Sequence, residues 1–137
     1  MQNNYKEIKM SANFRKIRRS KQELNRDESV DILRRTTSGV LGLAGDCEYP
    51  DTVPMSYVYD NCKIYFHSSK TGHKVSICKN EETMRYAMNL LAKKYAPYDT
   101  AQNREAAIER EFNQLAVVVM EIEHMTGKEA IELTQKD

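Results

Sequence analysis

The chain has 137 residues, 40% apolar and 30% charged, which suits one modest soluble domain and not two. No apolar run is long enough to span a bilayer, and the N-terminus has no apolar core of the signal-peptide kind, so a cytoplasmic protein with no membrane partner is expected. The formal net charge is only +1, but it is unevenly spread.

Residues 1–26 carry eight Lys/Arg against Glu7 and Glu23, a net +6, which leaves −5 on the remainder. The chain is therefore read as a basic arm, 1–26, and a single domain, 27–137. A basic arm on an acidic body is compatible with nucleic-acid binding. The arm has no series of base-stacking aromatics and its cations are thinly spread, so contacts with the body or with a subunit partner are preferred, and no nucleic acid is expected.

Asn25-Arg26-Asp27-Glu28 has the form of a capping box and predicts a short helix with Val30 and Leu33 on one face, ending near Thr36–Gly39. Val40–Leu43 is predicted as a strand, broken at Gly45-Asp46. Thr52–Tyr59 is predicted as a second strand, with Val53, Met55, Tyr57 and Tyr59 on one face. Asp60-Asn61 signals a tight turn, and Lys63–Ser68 returns as a third strand of an antiparallel meander. Pro54 has no N–H to give a ladder, so it marks an edge or a bulge, where backbone groups are freed for other partners.

After Thr71 the pattern turns helical, with Val75 and Cys78 on one face. Met84, Ala87, Met88, Leu91, Ala92 and Tyr95 then form a continuous apolar stripe, read as core. Pro97 closes that helix, residues 101–112 form another around Ile108 and Phe112, and Leu115–Ile122 is a last strand, apolar enough to be central. The three cysteines include no C-x-x-C pair. Cys47 and Cys62, at opposite ends of an eight-residue strand, would lie roughly 25 Å apart, too far to bridge, so reduced thiols are expected.

The stretch "IYFHSSKTGHK", residues 64–74, ends a strand in a run of hydroxyls and cations. At a strand-to-helix junction, Ser68, Ser69, Lys70, Thr71, Gly72, His73 and Lys74 would supply the hydroxyls, the cations and the free N–H groups that a phosphate needs. The same residues suit a capped helix start with solvated lysines. The P-loop spacing is absent. His67, His73 and His124 are not placed for a metal, and no nucleophile motif is present, so no metal site is expected.

The segment "GVLGLAGDCEYPDTVPMSYVYDNCKIYFHSSKTGHKV", residues 39–75, resembles the flavin-binding half of the pyridoxamine 5'-phosphate oxidase-like split barrels, and within them the nitroimidazole-resistance (Nim) proteins. "FRKIRRSKQEL" and "LAVVVMEIEHMTGKEAIEL" extend the likeness over residues 13–133. The resemblance implies a mainly β, α+β split β-barrel that binds FMN, forms a homodimer and acts as a flavin-dependent reductase or oxidase of a small molecule, nitroimidazole reductase-like. It implies ring contacts at Val53, Pro54, Met55, Ser56 and Tyr57. The ribityl and phosphate would lie at His67, Ser68, Ser69, Lys70, Gly72 and Lys74. His67 would donate a proton to the substrate, or serve as a hydrogen-bonded strand-end histidine.

The chain departs from the family pattern after Asn80. The family's further strands are missing between "ICKN" and "EETMRYAMNLLAKKYAP", and the apolar face of a continuous helix would switch sides there. Four strands are predicted, too few to close a barrel. An incomplete barrel leaves a second class open, a non-catalytic or truncated protein on the flavin-binding scaffold.

Overall fold

The computed structural model describes residues 14–69 and 77–134. A 3-10 turn at Ser20–Gln22 leads into β1 (Glu23–Leu24) and α1 (Arg26–Arg35). β2 (Gly39–Ala44), β3 (Pro50–Met55), β4 (Val58–Asp60) and β5 (Lys63–Ser69) follow. Then come α2 (Glu81–Tyr95), α3 (Ala101–Glu111), β6 (Leu115–Glu121) and β7 (Gly127–Lys128). The fold is α+β, as the sequence pattern predicts.

The capping box forms. Asn25 Oδ1 accepts from the Glu28 N–H at 2.9 Å, and Glu28 Oε2 accepts from the Asn25 N–H at 3.0 Å. Asp27 and Glu28 in the first turn and Arg34 and Arg35 in the last complement the helix dipole.

Among the described residues all strand pairings are antiparallel, and they fall into three separate sheets: β1–β7, β2–β3 and β4–β5–β6. The barrel does not close. The strand predicted at Thr52–Tyr59 is two strands. Pro50–Met55 pairs with β2, the chain leaves that ladder at Ser56-Tyr57, and Val58–Asp60 pairs with β5. The count of four strands becomes seven among the described residues, because pairings of two or three residues leave no periodic trace in the sequence.

Pro54 takes the edge alternative and not the bulge. The register runs one to one from Gly39–Met55 to Ala44–Pro50, and among the described residues β3 has a neighbour on one side only. The β2–β3 connection needs Gly45, since a Cβ there would lie 2.3 Å from the Tyr49 carbonyl oxygen. The tight turn between β4 and β5 sits one residue later than predicted. Asn61 and Cys62 both have positive φ, as the favoured two-residue hairpin turns require.

β5, not β6, is the central strand. It carries β4 on one side and the full length of β6 on the other. The far edge of β6 meets, among the described residues, one antiparallel bridge, Ile77 to Val118, beside a bond from the Cys78 N–H to the Val117 carbonyl at 2.8 Å. Cys78 is therefore extended where a helical turn was predicted, while Val75 lies outside the described residues. The mismatch of apolar faces at residue 80 has a simple origin: the helix begins there. Asn80 is its cap, accepting from the Thr83 N–H at 2.9 Å.

Alternation along β5 and β6 builds two cores. Ile64, Phe66 and Val118 meet Val30 of α1, Leu41 of β2, Tyr57 and Tyr59 on one face. Tyr65 and Val117 meet Ala87, Met88 and Leu91 of α2, Ile108 of α3 and Val58 on the other. The stripe predicted as core on α2 is core.

Residues 20–24 of the basic arm are tied to the body. Glu23 and Leu24 pair with Lys128 and Gly127, and Gln22 Nε2 donates to the Glu129 carbonyl at 3.1 Å. Phe14 stacks on His124, ring centroids 4.0 Å apart. Arg15, Lys16, Arg18 and Arg19 are exposed. All three cysteines are free thiols.

Candidate functional site

The break between β3 and β4 leaves the backbone of Tyr57 outside both ladders. Buried polar groups must find partners. The last turn of α2 supplies them. The Tyr57 N–H donates to Tyr95 Oη at 3.0 Å, and its carbonyl accepts from Lys94 Nζ at 3.0 Å. The single Tyr95 hydroxyl proton serves the Tyr57 carbonyl, 2.8 Å away, or that of Thr37. Lys94 Nζ also donates to the carbonyl of Thr36, the C-cap of α1, at 2.6 Å, and lies 4.5 Å from the centroid of the Tyr57 ring. Burial pushes the Lys94 pKa below its ordinary value. Burial, and then the neighbouring Tyr95, push that of Tyr57 up.

Beside this seam is a cavity of about 290 Å³ between α2, α3 and the ends of β3, β5 and β6. Its floor is apolar, from Met88, Leu91, Ile108 and Leu115, and Ala92 and Ala107 leave room above it. Ser56, His67, Tyr95, Arg104 and Glu111 supply the polar wall. Two larger hollows, of about 520 and 570 Å³, flank α1 and carry none of the residues predicted for a site. The smaller cavity is taken as the candidate site because it alone of the three brings predicted residues together.

Those residues are Ser56 and His67. They come from the chain just after β3 and from β5, where His67 stands opposite Val117. Val53 and Pro54 are exposed on β3 and Met55 is half-buried. Tyr57 is buried, with its backbone donor and acceptor already engaged. Ser68 and Ser69 continue β5 opposite Ala116 and Leu115. Lys70, Gly72, His73 and Lys74, the heart of the predicted phosphate seat, lie outside the described residues. Among the described residues no group of three or more His, Cys, Asp or Glu could hold a metal ion, and no helix is long and apolar enough to cross a membrane.

Sequence reasoning missed Lys94, Tyr95, Arg104 and Glu111. Tyr95 carried a signal: a hydroxyl at the end of an apolar stripe, two residues before Pro97, needs a partner in the core it enters. Arg104 carried none, since an arginine on an amphipathic helix is ordinarily solvated.

Antiparallel strands in an unclosed barrel, with helices laid on the sheet, define the split-barrel class of α+β proteins. Residues 25–86 match the family model of pyridoxamine 5'-phosphate oxidase, a segment that runs from the α1 cap into α2 and includes every residue predicted to hold a cofactor. A crystal structure from Bacteroides thetaiotaomicron, named as a candidate 5-nitroimidazole antibiotic resistance protein, shares the fold. Its TM-score is 0.63 at 16% identity, covering 77% of this chain and 85% of that one. No curated protein matches the chain. Residues 25–86 are thus similar to the pyridoxamine 5'-phosphate oxidase family, and the chain shares its fold with that Bacteroides protein.

Proposed function

We propose that the protein is an FMN-binding flavoprotein, a flavin-dependent reductase or oxidase of a small molecule on the nitroimidazole-reductase pattern, working as a cytoplasmic homodimer. The observation that carries the reading is the meeting of Ser56 and His67, both from the family-matched segment, on the wall of the cavity. At about 290 Å³ the cavity lies at the small end of ligand sites, so it suits a substrate or one end of a cofactor and not a whole FMN. The rest of an FMN has the edge of β3, where Val53–Met55 face no further strand among the described residues, and the end of β5. Val53, Pro54, Met55 and Ser56 would meet the ring. Tyr57 would contribute through its position more than its backbone, which Tyr95 and Lys94 occupy. Ser68, Ser69, Lys70, Gly72 and Lys74 would hold the phosphate. FMN, when bound, supplies electron transfer by one or two electrons. His67, exposed at the mouth of the cavity, holds a proton at a ring nitrogen within reach of a substrate seated there.

One observation favours the second reading, a non-catalytic protein on the same scaffold: the barrel does not close. A visible absorbance spectrum of the purified protein with added FMN separates the two. Retained flavin together with reduction of a nitroaromatic supports the first, flavin without turnover supports the second, and no flavin defeats both. Lys74→Ala removes a charge-assisted phosphate contact and should weaken FMN roughly ten- to a hundredfold by titration. Equal affinities would take Lys74 out of the site.

A further inference from the structure

We infer that the cavity beneath α2 and α3 is a binding site for a small planar organic anion of the aromatic carboxylate class, anchored by Arg104. The inference rests on the cavity lining and not on the flavin reading. Its anchoring wall lies on α3, outside the family-matched residues 25–86.

Arg104 is half-buried on the cavity wall, and among the described residues it forms no ion pair. Its Nη1 donates to the Asp99 carbonyl at 2.7 Å, which fixes the guanidinium and leaves the remainder of its five-donor fork uncommitted. The carboxylates that could neutralise it are engaged elsewhere. Asp99 Oδ1 accepts from the Thr100 N–H at 3.0 Å and from Asn103 Nδ2 at 2.9 Å. Glu111, on the same cavity wall, pairs with Arg110, its carboxylate 3.5 Å from Arg110 Nη2. A planar guanidinium held in place beside a low-dielectric floor favours a planar two-oxygen anion, bound bidentately.

The rest of the lining selects the body of that anion. Met88, Leu91, Ile108 and Leu115 present apolar side chains, and Ala92 and Ala107 leave the gap a ring would fill. Ser56 and His67 stand as hydrogen-bonding groups on the sheet side, so a ring bearing a polar substituent away from its carboxylate has partners at both ends. A volume of about 290 Å³ admits one ring with its substituents and excludes a nucleotide.

The test uses the full chain without added flavin and two probes of the same shape, 4-nitrobenzoate and the neutral 4-nitrobenzamide. Binding is followed by titration calorimetry and by amide shift mapping. The expected result is binding of the acid at least about tenfold tighter than the amide, with shifts at Ser56, Arg104 and Ala107. Arg104→Gln should remove that preference and leave the amide unaffected. Ala107→Leu, which fills the gap and touches no hydrogen bond, should weaken both probes. Equal affinity for acid and amide, no binding of either, or shifts confined to other parts of the chain would each overturn the inference. The probe pair on the unaltered chain decides the matter even if Arg104→Gln, which also loses the bond to Asp99, fails to fold. Anion binding in the absence of FMN uptake would sink the flavin reading and leave this one standing.

Discussion

The β2–β3 hairpin and the β4–β5–β6 sheet are both antiparallel ladders of comparable strand length, yet they are solvated very differently. β5 and β6 carry core residues on both faces, against α1 and β2 on one side and α2 and α3 on the other. The hairpin buries Leu41 and half-buries Leu43 and Met55 on its inner face, while Val40 is 72% exposed on the outer one, beside Pro54 and Gly42. Helix coverage makes the difference. The sheet that is covered stabilises the molecule, and the ladder that is not keeps open edges and an apolar outer face for other partners. The predicted flavin contacts lie at the end of the uncovered ladder, and His67 lies near the end of the covered one.

The largest expected effect tests that difference directly. Leu91, 6% exposed under the sheet, should lose about 2–5 kcal/mol on Leu91→Ala, measured by urea denaturation. Val40→Thr on the hairpin should change stability by no more than about 0.5 kcal/mol. If Val40→Thr costs as much as Leu91→Ala, the outer face is covered after all. A second copy is then the candidate cover, and light scattering on both variants should show the loss of a dimer.

The seam between the two regions gives the next effect. Tyr95→Phe keeps the ring and removes the hydroxyl that serves the Tyr57 N–H and the carbonyls of Tyr57 and Thr37. An unsatisfied buried donor costs about 1–3 kcal/mol, and the variant should lose that much. Amide exchange should speed up at Tyr57 and stay unchanged at Phe66, in the middle of the β5 ladder. Equal acceleration at both would mean that the two regions open as one unit and that the seam is no boundary.

Elements with strong local signals were legible in the sequence: the Asn25–Glu28 box, the α2 stripe, α3 and the hydrophobic run of β6 all form as predicted. What was hidden depends on contacts remote in sequence. The division of Thr52–Tyr59 into two strands is such a case, because Val53, Met55, Tyr57 and Tyr59 alternate without a break while the pairing partner changes from β2 to β5. The centrality of β5 was hidden because its Lys63, His67 and two serines make it look more polar than β6. Of the candidate site, the sheet side was legible through the family resemblance. The helical side was not, since nothing local distinguishes Arg104 from a solvated arginine, and only the packing of α3 beside α2 brings it to the cavity wall.

The smallest effect sharpens the comparison at the other end of α2. Tyr86 Oη donates to Asp60 Oδ2 at 2.6 Å, pinning the helix to the last residue of β4, and its ring meets that of Tyr65 edge-on at 6.0 Å. The bond to Asp60, and secondarily burial, push the Tyr86 pKa up to about 12. In the unfolded chain a tyrosine titrates near 10, so the folded state favours the protonated hydroxyl. Its contribution to stability is therefore complete below about pH 10 and is lost as the pH rises from there through about 12. Tyr86 is half exposed, so screening keeps that contribution under about 1 kcal/mol. Tyr86→Phe retains the ring contact and deletes the bond. Urea melts of both proteins should differ by this small amount at pH 7 and 9, and the difference should shrink at pH 11. Burial raises Tyr57 and Tyr65 as well, so absolute stability falls in that range for both proteins, and the difference between them isolates Tyr86. A difference that stays constant to pH 11 would show that the hydroxyl acts through packing and not through its proton. The tie between α2 and β4 would then be as apolar as the core beneath it.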